Sequence, residues 1–319
     1  MTNQELRALA SQRLDNAPNG KRLVLLWAGV TAALSLLTGL LSHLLSSGIA
    51  GTGGLSGIGL RSILSTAQQI LSTATTVALP FWTLGYQRAM LNIARGQRSD
   101  EKTLLSGFRR FGPGLRLMLL EGLLMGVVFM FVFYVALLLL FMTPLAEPIY
   151  GVLEPVMESL MADPYSAMDE ALKGSMMEAM MPIALCSLGL CLIVLLPLIY
   201  RLRLTQLRLM DDPGCGALAA IGTSLQLTKG NCLKLLKLDL GFWWFYLLEG
   251  TVAAISYGDS ILPMLGIALP ISADTAFWLF YVVALAVQVL LYAAFHNRIT
   301  ATYALFYDSL LPHPEEPTE

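Results

Sequence analysis

Three carboxylates lie where acids are rare. Glu121 and Asp239 each open an uncharged apolar run, and Glu249 lies ten residues beyond Asp239, near the middle of the second run. An acid at the centre of a membrane helix costs about 2.5–3.5 kcal/mol on insertion scales, so Glu249 calls for a partner or a wet cavity. Ten residues of continuous helix cover about 15 Å, which keeps Asp239 and Glu249 from sharing one site directly. Two readings stay open. In one, the acids form a proton or cation relay, or a headgroup-binding position. In the other, Glu249 is protonated and bonded to a neighbouring Ser, Thr or Tyr, while Asp239 and Glu121 snorkel to Lys or Arg at the interface.

Methionine is the second concentration of chemistry. Seven of fifteen fall between positions 157 and 181: Met157, Met161, Met168, Met176, Met177, Met180 and Met181. Thioethers are soft ligands suited to Cu(I). They also fill apolar or partner-binding faces well. No cytoplasmic cysteine pair completes a copper route, which favours the packing or interaction face, and no cofactor is expected. The only histidines are His43, His296 and His313, and no HExxH, nucleophile elbow or P-loop occurs. This inventory argues against an enzyme. Cys186 and Cys191 lie in an apolar run and Cys215 and Cys232 in basic segments, so neither disulfides nor Cys/His metal spacing is expected.

The elements that must position these residues follow from composition. The 319-residue chain is 56% apolar and 13% charged. Soluble domains carry about 25% charged residues, so most of this chain cannot face water. Six uncharged stretches read as spans: Leu23–Ser46, Ile63–Gln87, Gly122–Ala146, Ala179–Tyr200, Leu240–Gly258 and Thr275–Asn297. The fifth is weakened by Glu249. The first lacks an A-x-A-like cleavage site and reads as a retained span. Of 20 Lys and Arg, 18 fall before span 1, between spans 2 and 3, between spans 4 and 5, or after span 6. The positive-inside rule then places both termini in the cytoplasm. The 17 basic residues assigned to the cytoplasmic side before span 5 invite a nucleic-acid reading, but topology and anionic lipid explain them, so no nucleic acid is expected.

Between the spans, one local grammar recurs three times. In residues 1–22, Thr2 and Glu5 form a capping box, Leu6, Leu9, Ala10 and Leu14 make an apolar stripe, and Asn19-Gly20 stops the helix. In 99–116, Ser99 or Asp100 caps, Leu104, Leu105 and Phe108 face one way, and Gly112-Pro113-Gly114 breaks the helix. In 207–231, Asp212 caps, Pro213 takes the first helical position, Leu218, Ile221 and Leu225 form the stripe, and Lys229-Gly230 stops it. A short helix with a basic rim and one apolar face suits the headgroup plane. The exported 144–180 segment is acidic and Met-rich, with Ser166 and Asp169 suggesting a helix toward span 4. Residues 260–273, with Pro263 and Pro270, are apolar but too short to span, which suggests an interfacial or re-entrant segment. Pro80 and Pro197 could break their helices. Gly122 and Gly126 form a GxxxG that permits close helix approach and a homo-oligomer.

Three stretches carry a resemblance: "LPFWTLGYQRAMLNIARGQ" followed by "LLSGFRRFG"; "YRLRLTQLRLMDDPGCGALAAIGTSLQLTKGN"; and "FHNRITATYALFYDSL". Together they resemble domain-of-unknown-function family nine-seven-five, a group of prokaryotic polytopic membrane proteins, over most of residues 3–311. That family is also similar to the membrane domain accompanying some glycerophosphodiester phosphodiesterases, although no phosphodiesterase domain is present here. The resemblance implies six spans and a cytoplasmic-membrane location. It implies no established activity, so no functional residues are carried over, and the 144–180 insertion is longer than the family's connection.

The expected protein is an all-α integral membrane protein. It has an amphipathic N-terminal helix at 1–22, a six-span domain over 23–311, and an acidic flexible tail at 312–319. The expected function is a non-catalytic scaffold or accessory protein organising membrane lipids or a partner, with 144–180 as a partner site. The alternative is a transporter or lipid-handling protein with a midplane cavity near Glu249, for which broken helices and converging polar groups would be the mark.

Overall fold

The computed structural model describes residues 2–47, 55–143, 151, 170–264, 267 and 271–311, and among these no strand occurs. The tail at 312–319, most of the 144–180 segment, and Met157, Met161, Met168, Ser166 and Asp169 lie outside the described residues. Met176, Met177, Met180 and Met181 fall on the first turns of a long helix, whose side chains there are also outside the description.

Contacts divide the chain into two units, Met1–Leu115 with Leu204–Glu319, and Arg116–Arg203. The first contains α1 (Asn3–Asp15), α2 (Gly20–Ser47), α3 (Leu55–Ala94) and α4 (Ser106–Arg109). It resumes with α7 (Thr205–Asp211), α8 (Ala217–Leu227), α9 (Cys232–Leu240), α10 (Trp243–Ser256) and α11 (Gly258–Met264). It closes with α12 (Ala273–Leu291), a π turn at Tyr292–His296, and α13 (Asn297–Leu310). Most of α5 (Phe111–Phe141) and all of α6 (Glu170–Leu202) belong to the second unit.

Among the described residues, four helical stretches are long and apolar enough to cross a membrane, at Gly20–Ser42, Phe111–Leu139, Leu185–Asp211 and Thr275–Leu310. Large apolar side chains such as Leu123, Met130 and Phe131 on α5 and Ile193 on α6 are exposed. Apolar surface on this scale suits hydrocarbon rather than water. The remaining two stretches take other forms. Ile63–Gln87 runs inside the 40-residue α3, where Ser65, Thr66, Gln68, Gln69, Ser72 and Thr73 dilute its apolar character. Leu240–Gly258 is not one helix. Its main piece, α10, has 14 residues, or about 21 Å, which is short of a hydrocarbon core of about 30 Å. Neither proline breaks its helix: α3 continues through Pro80 and α6 through Pro197.

The recurring grammar resolves into three different structures. The capping box is present in full: Thr2 Oγ1 accepts from the Glu5 amide at 3.3 Å, and the Thr2 amide donates to Glu5 Oε2 at 2.8 Å. Leu6, Ala10 and Leu14 are buried, and α1 packs on α13, so protein rather than lipid covers this stripe. The helix ends at Asn16, and Gly20 opens α2 instead of stopping α1.

In the 99–116 stretch the expected single helix is two short pieces, a 3₁₀ turn at Glu101–Thr103 and α4. The reason lies in two glycines. A Cβ on Gly85 would strike the Leu104 carbonyl, and one on Gly107 would strike the Phe81 carbonyl, so backbone meets backbone here. That close approach bends the chain around α3. Gly112-Pro113-Gly114 does not break a helix but lies in the first turn of α5, where proline's missing amide is tolerated.

The Asp212-Pro213 assignment also needs correction. Asp212 ends α7, and its Oδ1 accepts from the Gly214 amide at 2.9 Å, closing a turn two residues on. Helix α8 starts later, with Gly216 as its N-cap. The aspartate satisfies a turn amide instead of a helix amide, because Arg208 holds its other oxygen at 3.0 Å. Helix α8 buries Ala217, Ala220 and Ser224, whereas Leu218 is 73% exposed. Gly230 (φ 78°) does end the segment, in the left-handed region where glycine is favoured.

Candidate functional site

Helix α10 places Glu249 against the end of α12. Tyr292 Oη donates to Glu249 Oε1 at 2.6 Å and accepts from Gln288 Nε2 at 3.2 Å. Gln288 and Tyr292 are one helical turn apart, so the end of α12 and the π turn that continues it supply these groups and α10 the acid. At 2.6 Å the Tyr–Glu bond lies at the short end of the range for O–H···O bonds. Tyr292 also opens the five-residue π turn. The wider turn shifts the register of the following residues, and such turns recur at functional sites.

His296 closes that turn within an aromatic stack. Its ring lies parallel to Trp27 at 4.7 Å, and Trp27 stacks on Tyr86 at 4.8 Å. Tyr292 lies 5.0 Å from His296, and Phe245 covers both at about 6 Å. Trp27 is fixed further: its Nε1 donates to Thr83 at 3.4 Å, and its carbonyl accepts from Trp82 Nε1 at 3.2 Å. Residues from α2, α3, α10 and the π turn thus meet around one acid, one tyrosine and one imidazole. The arrangement can hold a proton or orient a carboxyl group. It is filled with rings, and no group of three or more His, Cys, Asp or Glu that could hold a metal ion occurs among the described residues.

The other predicted acids have separate settings. Asp239 lies near the end of α9 and accepts from Tyr246 Oη at 3.0 Å. The helix ends at Leu240, so Asp239 and Glu249 do not share the continuous helix expected of them. Glu121 lies half-buried on α5 in the second unit. Gly122 and Gly126 have open space where a Cβ would stand, so no described neighbour packs closely at the GxxxG.

Several arginines have roles beyond topology. Arg95, just past α3, bonds Asp211 at 2.5 Å and Asp308 at 2.8 Å, and Tyr307 Oη donates to Asp211 at 2.9 Å. The hydrogen bonds that Arg95 donates to Asp211, with further support from Asp308, raise the Arg95 pKa above its ordinary value. Arg110 donates to the carbonyls of Leu209, Asp212, Pro213 and Cys215, tying down the end of α7. Arg7 donates to the carbonyls of Leu238 and Gly241 at 3.3 and 3.4 Å and lies 4.8 Å over the Phe242 ring. Counting these residues as topological charge hid their partners, which stand 99 to 234 positions away along the chain. The nearest sequence signal was the concentration of Arg95, Asp211 and Tyr307 in the three distinctive stretches.

A polar groove of about 410 Å³ is the second feature not anticipated. Ser35, Thr38 and Ser42 from α2, Gln68, Ser72 and Thr76 from α3, and Tyr281 from α12 line it. Tyr281 Oη donates to the Ser35 carbonyl at 2.8 Å, and Gly39 leaves room for the Tyr281 ring. Thr38 and Thr76 return their hydroxyl protons to carbonyls one turn back, at 2.8 Å each. That local bonding lowers the penalty of polar groups at membrane depth.

An all-helical chain with four such helices is, by class, a multi-pass membrane protein. More narrowly, it belongs to the family described as Protein of unknown function (DUF975), whose model matches residues 1–313. No curated protein and no solved structure matches it.

Proposed function

We propose that this protein is a non-catalytic membrane scaffold or accessory protein that organises lipid or a partner. The observation that carries the reading is how the charged groups of the first unit are used. Arg7, Arg95 and Arg110 bind carbonyls and carboxylates of distant segments, and Glu249 is held by Tyr292. Charges tied in this way favour a fixed platform over a moving relay. In this reading both termini are cytoplasmic, the chain crosses the cytoplasmic membrane six times, and α8 lays Leu218 against lipid. Helix α3 and the α9–α11 segment supply the two crossings beyond the four long apolar helices. The acidic 144–180 segment offers a partner site on the other side, and Gly122 and Gly126 a self-association seam.

The second reading, solute or lipid handling, is favoured by the groove at Ser35, Gln68 and Tyr281. Polar groups converge there from three helices, as handling would require. Native mass spectrometry of protein released from nanodiscs separates the two readings, comparing wild type with Glu249→Gln. The scaffold reading expects identical spectra for wild type and Glu249→Gln, with no ligand whose retention depends on Glu249. A stoichiometric ligand present in wild type and lost in Glu249→Gln would replace it with the handling reading.

A further inference from the structure

Not every arginine of the first unit is engaged. Arg13 and Arg98 have neither an ion pair nor a hydrogen bond among the described residues. Both line one cavity of about 740 Å³, between the α1–α2 turn and the segment that follows α3. Gly96 holds Arg13 there. It has φ 75°, and the guanidinium occupies the space where a side chain would begin. On the same wall Ser99 is only 5% exposed, yet its hydroxyl has no hydrogen-bond partner. A buried hydroxyl without a partner is costly unless something supplies one. Asn16 adds an amide donor, Asn19 Nδ2 donates to the Ser99 carbonyl at 3.5 Å, and Asp100 is the lining's one acid.

Helix α2 opens at Gly20 on the rim of this cavity, with no acidic residue in its first turn. The positive end of this 28-residue helix has no acid of its own first turn, and the one carboxylate paired there, Glu101, is held by Arg22 at 2.7 Å. Two free guanidiniums, a helix start and a buried hydroxyl are the elements that recognise a tetrahedral anion. Position adds a further constraint. Gly20 is also the first residue of a helix apolar enough to span, and Leu25 and Leu26 are exposed just above. A group bound here stands at headgroup level, beside a surface that an acyl chain can follow.

We propose that this cavity binds a phosphate group, carried by Arg13, Arg98 and the Ser99 hydroxyl at the start of α2. The phosphate comes either from an anionic phospholipid headgroup or from a free phosphate. The site is separate from the groove and from Glu249, and it stands whether or not the scaffold reading does.

The test uses the full chain in two arms. In the first, protein in phosphatidylcholine nanodiscs doped with phosphatidylglycerol is released and its retained lipids are counted by mass. In the second, inorganic phosphate is titrated in detergent, following the melting temperature. The variants are Arg13→Gln with Arg98→Gln, Ser99→Ala alone, and Arg109→Gln as an exposed basic control from outside the cavity. One phosphatidylglycerol retained by wild type and by Arg109→Gln, with affinity about tenfold or more weaker in the double variant, supports a lipid headgroup. A phosphate-dependent rise in melting temperature, lost in the double variant and without lipid retention, supports the free anion. Ser99→Ala should weaken either mode several-fold without unfolding the chain, so the test holds even if the double variant does not fold. Binding unchanged in Ser99→Ala and in a folded double variant, or absent in both arms for wild type, would overturn the proposal.

Discussion

Helices α1 and α8 share one sequence grammar and end in opposite environments. Each has an N-terminal signal, a stripe of large apolar residues and a polar stop. In α1 the stripe turns inward, so Leu6, Ala10 and Leu14 lie against α13. In α8 the inward face is the small-residue one, Ala217, Ala220 and Ser224, while Leu218 stands exposed. Amphipathicity therefore says that a face will be covered, but not by what. Arg7 decides the matter for α1, because its guanidinium ties the helix to the end of α9. Small residues decide it for α8, because alanine and serine admit close backbone approach and leave leucine outside.

The contrast can be broken at several points. Leu6 is 2% exposed, so Leu6→Asp would bury an unpaired carboxylate in protein. The expected loss is about 4 kcal/mol, read as a collapse of the denaturant midpoint in nanodiscs. A loss below about 1 kcal/mol would mean that α1 lies on lipid after all. Arg7→Ala should cost less, about 1–2 kcal/mol, since it removes two long charge-assisted bonds and a cation–π contact. Faster amide exchange in α1 and α9, with the other helices of the first unit unchanged, would be its signature. Leu218→Asp should have the smallest effect on stability in detergent, within about 0.5 kcal/mol. Its effect should appear in the membrane. A spin label beside it at Ala219 should lose relaxation by oxygen dissolved in the bilayer. Unchanged relaxation would show that α8 does not rest on lipid.

Much of the local structure is legible because its causes are local. Thr2 and Glu5 are three residues apart, and their reciprocal bonds need no distant partner. Gly230 marks its own positive φ. Asp212-Pro213 misleads because two chemistries compete for one carboxylate. The pattern suits a helix cap, but Arg208 and the Gly214 amide claim both oxygens. The Glu249 site is half legible. A tyrosine was among the partner types expected of a protonated acid, but the choice of Tyr292 depends on how α10 meets α12. Nothing local joins Trp27, Tyr86 and His296, which come from three separate segments. The family match supports the resemblance read from the three distinctive stretches, and it adds nothing to the link with phosphodiesterase membrane domains.

By itself, then, the sequence determined the solvent. With 56% apolar and 13% charged residues, most of this chain cannot face water and must meet hydrocarbon, where helix is required because each unpaired backbone group costs several kcal/mol. It also determined the caps and stops, whose partners lie within a few residues. Only the tertiary structure decided which charges are fasteners and which stay free. Arg95 finds Asp211 and Asp308, while Arg13 and Arg98 face a cavity with Ser99. The physical reason is range. Hydropathy and capping act over single turns, whereas an arginine's role depends on which distant carbonyl or carboxylate the fold brings within about 3 Å.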